Sequence, residues 1–229
     1  MSAARLPVER LCCEFSRVVH CTNCNLGTSR ELLRDCGENV PQPGYVGLGY
    51  ERAGLLLVGQ NPGVPGGLAL ADRRYTAALR ALADQPTPPR YVELQSVLDD
   101  FIPTWPIHGK YFPLEQCGLT LADVAYCNLV RCRTKENAPP KVAAAAICRS
   151  AHFEPWLDLL KPAVIVFIGK WGHDRGRDAC VRRAIPFTYV DRNRKLRADE
   201  RAANLDAVKA FVVARLRAAS NVPVGNPRP

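Results

Sequence analysis

The stretch AVIVFIG, residues 163–169, carries the strongest strand signal in the chain, because it is rich in β-branched residues, begins after Pro162 and ends at a glycine. Two further segments have the same character, GLLLVG at residues 54–59 and DVAYCNL at residues 123–129, and a fourth follows at residues 185–190. Near-continuous apolar strands of this length are typical of parallel sheets with helices on both faces. They predict an α/β fold with a central parallel four-stranded sheet flanked by helices.

Helical patterns occupy the intervals between these strands. They span residues 72–83, 141–160 and 200–216, and the second begins just after a Pro-Pro pair, which the start of a helix tolerates. Strands alternating with helices predict one α/β domain over residues 18–219. We expect an N-terminal extension at residues 1–17, an insertion near the Pro- and aromatic-rich residues 86–113, and a disordered tail at residues 220–229.

Composition and charge restrict the class of protein. The 229 residues are 47% hydrophobic and 23% charged, which is typical of a globular protein and excludes wholesale disorder. The net charge of +9 favours an anionic partner such as nucleic acid. No apolar run approaches the about 20 residues that span a bilayer, and the first residues lack the apolar core of a secretory signal. We therefore expect a cytoplasmic monomer with no membrane partner.

The cysteines favour a metal centre. The chain has 10 of them, and the cytosol keeps thiols reduced, so disulfides explain them poorly. The C-x2-C pair Cys21 and Cys24 lets two thiolates reach one metal or cluster, and Cys132 and Cys148 lie downstream. Four thiolates can hold zinc or an iron–sulfur cluster, and spacing alone does not choose between them. Free cysteines are also common as packing residues. Rival ligands close to the first pair are Cys12, Cys13 and Cys36.

Polar and glycine residues follow all four predicted strands. The runs are GQNPG at residues 59–63, NLVRC at 128–132, GKWGH at 169–173 and DRNR at 191–194. Ligands of open α/β sheets gather at the carboxyl ends of the strands. The four runs therefore predict a single site at one edge of the sheet.

Taken in chain order, these motifs resemble the uracil-DNA glycosylase superfamily, especially its iron–sulfur branch, the family 4-like enzymes. The resemblance covers roughly residues 18–215. It implies that four cysteines hold a 4Fe-4S cluster and that the chain acts on DNA in base excision repair. The matching features are the pair Cys21 and Cys24, the Gly-x-x-Pro-Gly loop at residues 59–63, Asn128 followed by Arg131 and Cys132, and then Cys148.

The resemblance also implies a glycosylase, which flips a deaminated base out of DNA and excises it by hydrolysis. The residues predict a monofunctional enzyme, because Lys170 is the only lysine at a predicted loop tip and Asn61 fills the water-holding position. Asn61 matches the Asn that holds the attacking water in relatives with a Gly-x-Asn-Pro-Gly loop, whereas family 4-like enzymes have Glu where this chain has Gln60. The amide of Asn128 matches the edge of uracil, and we expect Gln60, Pro62 and Gly63 to contact the base. From the residues alone, Asn61 can equally cap its turn and Asn128 can be a satisfied buried amide.

The family's last motif contains a histidine after the fourth strand, and this chain has none there. Asp191 and His173 are the candidates for catalytic groups in its place. His173 also fits an ordinary residue on a helix surface.

A basic stretch surrounds these two candidates. Residues 170–201 contain ten Lys and Arg against five Asp and Glu. We expect Arg192, Arg194 and Arg197 to contact DNA phosphates and to enter the minor groove. Two other interpretations stay open: a catalytically altered iron–sulfur protein of this fold that only binds DNA, and a zinc-stabilised module that binds nucleic acid.

Overall fold

The structure is a computed structural model, which describes residues 7–24, 29–34, 39–63, 69–104, 114–193 and 195–220. Short strands alternate with helices along the chain. The strands are β1 (Leu32–Leu33), β2 (Tyr45–Val46), β3 (Leu55–Gly59), β4 (Val124–Asn128), β5 (Arg133–Thr134), β6 (Val164–Ile168) and β7 (Phe187–Val190). The helices are α1 (Val8–Val19), α2 (Tyr50–Ala53), α3 (Ala69–Asp84), α4 (Pro88–Phe101), α5 (Val142–Cys148), α6 (Glu154–Leu160), α7 (Lys170–Val181) and α8 (Ala198–Ser220).

The main sheet has five strands in the order β2-β4-β3-β6-β7. The four strands predicted from the sequence, β3, β4, β6 and β7, are confirmed and run parallel. The fifth strand, β2, pairs antiparallel with β4 at one edge, so the sheet is mostly parallel and is not limited to four strands. With only two residues, β2 is too short to give a hydrophobic pattern. The fold is therefore mixed α/β.

The predicted helices are present, and one of them contains an irregular turn. Residues 141–160 were predicted as one helix, and the structure divides this segment into α5, a π-helical turn at Arg149–Phe153 and α6. The predicted helices at 72–83 and 200–216 correspond to α3 and α8. Among the described residues, no helix is long and apolar enough to cross a membrane.

Residues of the expected N-terminal extension and of the expected insertion contribute to the core. The expected boundary at residue 17 falls inside α1, whose Phe15 is fully buried. Part of the expected insertion forms α4, where Tyr91 and Leu98 are buried against the same core. Residues 105–113 and the expected tail after residue 220 lie outside the described residues.

The register of the sheet determines where the site forms. Gly59 at the end of β3 lies opposite Asn128 at the end of β4, and Val58 lies opposite Phe167 of β6. On the far side, Ile168 of β6 lies opposite Val190 of β7. The carboxyl ends of all four parallel strands are thus level with one another, and neighbouring strands are about 4.8 Å apart. The four polar runs that follow them emerge at one edge of the sheet.

Candidate active site and cysteine centre

The loop after β3 is bonded to the chain that follows β4. Leu129 donates its backbone N–H to the carbonyl of Gly59 at 2.8 Å, and Val130 donates to the carbonyl of Gln60 at 2.9 Å. These two bonds continue the β3–β4 pairing past the end of the sheet. Gln60 is half-buried and Pro62 is buried, while Gly63 is exposed at the tip. The loop therefore has a fixed backbone on which Asn61 is presented.

An ion pair fixes the far end of the same loop. Arg133 donates from Nε to the carbonyl of Gly63 at 3.1 Å, and its terminal nitrogens donate to both carboxylate oxygens of Asp72, on α3. The side chains of Arg133 and Asp72 are only 5% and 9% exposed. A bidentate pair of this kind compensates the loss of hydration that burial imposes on both charges.

The amide of Asn61 is oriented by its neighbours. Its Nδ2 donates to the hydroxyl of Thr134 at 3.1 Å and to the carbonyl of Pro62 at 3.2 Å. The hydroxyl of Thr134 donates its own proton to the carbonyl of Ala138 at 2.6 Å, so it can only accept from Asn61. Both amino hydrogens of Asn61 are thereby used, and Oδ1 is left as the acceptor. This orientation suits the predicted role of holding a water.

Asn128 is also oriented, through a tyrosine. The hydroxyl of Tyr126 donates to Oδ1 of Asn128 at 3.0 Å, and Asn128 is only 5% exposed. Both lie against Gly59, where an added Cβ would be 2.3 Å from Asn128 Oδ1 and 2.6 Å from Tyr126 Oη. Nδ2 of Asn128, and one lone pair of its Oδ1, remain as donor and acceptor for a ligand.

The chain after β7 makes a tight turn. Asn193 donates its backbone N–H to Asp191 Oδ1 at 2.8 Å, and Asp191 donates its own N–H to Asn204 Oδ1, on α8, at 2.8 Å. The carboxylate of Asp191, predicted as a catalytic group, thus serves the backbone of its own turn. Between these two residues, Arg192 extends its side chain over Gly169: a Cβ on Gly169 would lie 3.5 Å from Arg192 Cδ.

His173, the other catalytic candidate, packs among aromatic rings. Its ring centroid is 4.6 Å from that of Tyr189 and 5.7 Å from that of Phe187, both on β7. Its Nδ1 lies 3.0 Å from Asp174 Oδ1, and its side chain is 15% exposed. The contacts that the structure describes for His173 do not include Asn61 or Asn128, which the loop and strand geometry brings together.

Three of the four predicted ligand cysteines are buried together. Cys24, Cys132 and Cys148 are buried together in a small apolar cluster with Leu32, Val130, Ala144 and Ala145. The thiols of Cys24 and Cys148 share a hydrogen bond, and Cys132 is within electrostatic range of both Cys24 and Cys21. Cys21 is half-buried. The N-terminal pair is therefore brought to the segment between β4 and α5.

Mutual contact and burial shift the thiol pKa values in opposite directions. The hydrogen bond from Cys148 lowers the pKa of Cys24 to about 7, and the same bond, together with burial, raises the pKa of Cys148. Burial raises the pKa of Cys132 to about 12. The charge of Arg34 helps to lower the pKa of Cys24 and opposes the rise in the pKa of Cys132. Arg34 also donates to the backbone carbonyls of Cys21 at 3.0 Å and Cys24 at 2.6 Å.

Four thiolates can hold either a zinc ion or an iron–sulfur cluster. In the described part of the chain, no three His, Cys, Asp or Glu side chains are close enough to share one metal ion. A zinc ion needs its thiolate sulfurs about 2.3 Å from one centre, whereas the thiolates of a 4Fe-4S cluster stand farther apart.

The rival cysteines lie elsewhere, as far as they are described. Cys12 is buried on α1 in the main core. Cys13 lines a groove of about 410 Å³ between α1 and α6, to which none of the predicted site residues contributes. Cys36 lies outside the described residues.

The basic stretch is partly neutralised by ion pairs. Arg182 and Arg183 bind Glu154, and Lys170 binds Asp174. Arg197, predicted to contact DNA, has a 73% exposed side chain and lies 3.1 Å from Asp199 Oδ2. Arg194 lies outside the described residues. The positive charge near the strand ends is therefore less concentrated than the sequence count suggests.

Sequence reasoning missed the residues that orient the two amides. Tyr126 precedes Asn128 by two positions on β4, so the alternation of a strand places both side chains on one face, and this signal was available. Thr134 accepts a hydrogen bond from Asn61, and Arg34 donates one to the carbonyl of Cys21. Only the fold reveals these partners.

Comparison with protein-family models gave no match to this chain, and comparison with curated proteins gave none either.

Proposed function

We propose that this protein is a monofunctional DNA glycosylase of the uracil-DNA glycosylase type, which excises uracil or another deaminated base. One observation carries the proposal: two asparagine amides, Asn61 and Asn128, stand on neighbouring strand ends, and each is oriented by a hydroxyl group. In this proposal the four parallel strands form the four-stranded core of a glycosylase domain that spans residues 18–219, with a base bound at their carboxyl ends.

The oriented amides suit the two tasks of a glycosylase. Oδ1 of Asn61 can accept a hydrogen bond from a water and direct it at the sugar, but an amide cannot deprotonate that water. Asn128 can offer both Nδ2 and a lone pair of Oδ1 to the edge of a flipped base. In this mechanism the base departs before the water attacks. A positioned water then adds readily to the oxocarbenium-like sugar.

We further propose that Cys21, Cys24, Cys132 and Cys148 hold a 4Fe-4S cluster. The convergence of these thiols and the burial of three of them support this ligand set. When bound, the cluster would supply metal–thiolate bonds between the N-terminal pair and the core. Arg34 would stabilise the thiolates by its charge and hold the loop that carries the pair through its two carbonyl contacts.

The proposed partner is DNA that contains damaged or deaminated bases. The net charge of +9 supports an anionic partner. Arg192 follows β7 at the strand ends, and Arg192 and Arg197 are both exposed. Neutralising these positions should weaken binding to every DNA sequence and reduce its salt dependence, because phosphate contacts release counterions.

The decisive experiment is a base-release assay. Anaerobically purified protein is incubated with single- and double-stranded DNA that contains uracil, hypoxanthine or xanthine. We expect free base and an abasic site without strand cleavage, and no adduct after borohydride reduction. Asn61→Ala should lower the single-turnover rate by about 10²–10³, with DNA affinity little changed. DNA binding without release of any base would contradict the proposal and favour a catalytically altered binding protein.

A further inference from the structure

Arg192 reaches toward the site from the far strand of the sheet. It belongs to the turn after β7, and β7 is separated from β3 by β6 alone. Its aliphatic stem lies over Gly169, the residue between β6 and α7. Two strand spacings, about 10 Å, separate β7 from β3, so an arginine that crosses the end of β6 covers much of this distance.

Gly169 lies under this crossing. Its φ is +104°, a backbone conformation that favours glycine, and it serves as the N-cap of α7. The stem of Arg192 lies close to the backbone at the end of β6, since a Cβ on Gly169 would be in ordinary van der Waals contact with it. The first turn of α7 is also close to the loop after β3, since a Cβ on Gly172 would be 3.8 Å from the carbonyl oxygen of Gly59.

The direction of Arg192 is set by its turn. Its neighbours on both sides are fixed, Asp191 by Asn204 and Asn193 by the carboxylate of Asp191. A third bond, from the N–H of Lys195 to Asn193 Oδ1 at 3.0 Å, extends the turn. The charge of Arg192 acts on the hydroxyl of Tyr126, where it partly offsets the rise in pKa that burial causes. Its guanidinium is thus within electrostatic range of the Tyr126 hydroxyl, which donates to Asn128.

The proposed reaction creates an anion at this place. The bond between C1′ of the sugar and the base breaks, and its electron pair leaves on the base. A lone pair of the water oxygen forms the new bond to C1′, the surplus proton of that water passes to solvent, and the base anion takes up a proton from solvent. Until that protonation, the departing base carries a negative charge beside Asn128.

We propose that Arg192 is a catalytic residue, whose guanidinium stabilises the negative charge of the departing base across the end of β6. The inference rests on the proposed glycosylase function. A guanidinium keeps its charge at every physiological pH and donates hydrogen bonds in one plane, which suits a flat anionic base. Asp191 is a carboxylate engaged in its own turn, and His173 is packed against β7, so neither competes for this role.

The test compares leaving groups. Arg192→Gln, Arg192→Lys and the control Arg90→Gln, which removes a guanidinium paired with Glu93 on α4, are assayed in single turnovers on DNA that contains uracil or 5-fluorouracil. Fluorine makes the base a better leaving group, so it needs less stabilisation. We expect Arg192→Gln to slow uracil release by about 10²-fold and 5-fluorouracil release by clearly less, with Arg192→Lys intermediate and Arg90→Gln unchanged. Circular dichroism and thermal melts check that each variant is folded.

Two results would overturn the inference while the proposed function survives. In the first, the wild type is active and Arg192→Gln slows release of uracil and of 5-fluorouracil by the same factor. The second is an unchanged single-turnover rate on uracil in Arg192→Gln, which would leave Arg192 only its proposed contact with a DNA phosphate. An inactive wild type would overturn the proposed function, and the inference with it.

Discussion

The amino group of Asn61 and the hydroxyl of Thr134 lie 3.1 Å apart, although 73 positions separate them in the chain. Thr134 is fully buried on β5, and its proton is committed to the carbonyl of Ala138. The amide of Asn61 therefore has one favoured orientation, with Oδ1 as its remaining acceptor. The position of the proposed water thus depends on a residue that does not itself touch the water.

Thr134→Val should disturb that orientation without emptying the space. Valine keeps the shape of threonine but cannot accept a hydrogen bond, so one amino hydrogen of Asn61 loses its partner. We expect the single-turnover rate of base release to fall by about 10-fold. The free energy of unfolding should fall by about 2 kcal/mol, because the bonds to Asn61 and to the carbonyl of Ala138 are both lost. Thr134→Ser keeps the hydroxyl and is the matched control. Equal rates in the valine and serine variants would show that the bond does not orient Asn61.

Tyr126→Phe should affect the choice of base more than the binding of DNA. Without the hydroxyl, Oδ1 of Asn128 loses its fixed donor, and the amide can turn over. We expect the rate on the preferred base to fall several-fold, relative to the rate on the other deaminated bases, with DNA affinity unchanged. The measurement is the ratio of single-turnover rates on uracil and hypoxanthine. An unchanged ratio would mean that Asn128 is oriented by other contacts.

Gly59→Ala should damage the same pair more severely. The new methyl group would be 2.3 Å from Asn128 Oδ1 and 2.6 Å from Tyr126 Oη, so one of these side chains must move. We expect base release to drop by at least the factor found for Tyr126→Phe. Gly172→Ala is the control, because its Cβ would make only ordinary contacts, at 3.7 Å from Phe167 and 3.8 Å from Gly59. Full activity of Gly59→Ala would contradict a base pocket at this strand end.

The sequence predicted the elements that local patterns encode. Apolar runs closed by glycine predicted the four parallel strands. They also predicted that the polar runs gather at the carboxyl ends of those strands. The short edge strand β2 and the pairing of β1 with β5 could not be predicted, because two-residue strands carry no periodicity. The burial of α1 was also missed, since a helix at the start of a chain gives no sign of what it packs against.

The candidate site was predicted in its residue types and only partly in its contacts. Spacing and resemblance predict Asn61, Asn128 and the cysteine set, and the structure packs three of the four cysteines, Cys24, Cys132 and Cys148, into one cluster. Asp191 and His173 were chosen because the chain offers few acids and histidines near the last strand. Only the fold reveals that the carboxylate of Asp191 bonds its own turn and that the His173 ring packs against Tyr189.

The ion pair between Asp72 and Arg133 should be the most sensitive polar contact of the fold. Asp72→Ala leaves a buried guanidinium without its carboxylate, which typically costs about 3–5 kcal/mol of unfolding free energy. Glu93→Ala, the control, breaks an exposed pair with Arg90, which is worth about 0–1 kcal/mol. Urea unfolding of both variants measures the difference. A loss below 1 kcal/mol in Asp72→Ala would show that water or other groups replace the carboxylate.

The acid sensitivity of the fold should depend on His152. This side chain is 2% exposed, and burial, helped by the charge of Arg131, lowers its pKa to about 3. In the unfolded chain the same group has the ordinary pKa of about 6.5, so between these two values the unfolded state binds one more proton than the folded state. Stability is therefore lost as pH falls through this window, and the expected loss between pH 7 and pH 5 is about 2 kcal/mol.

His152→Leu removes this proton-binding group and places an apolar side chain where neither ring nitrogen has a hydrogen-bond partner among the described residues. Urea unfolding at pH 7, 6 and 5 should give a flatter dependence on pH for His152→Leu than for the wild type. The control is His20→Gln, which changes an exposed histidine at the end of α1 and should keep the wild-type slope. Acid release of a cluster would act on all three proteins, so the comparison of slopes isolates His152. Parallel slopes for wild type and His152→Leu would mean that His152 takes up its proton in the folded state.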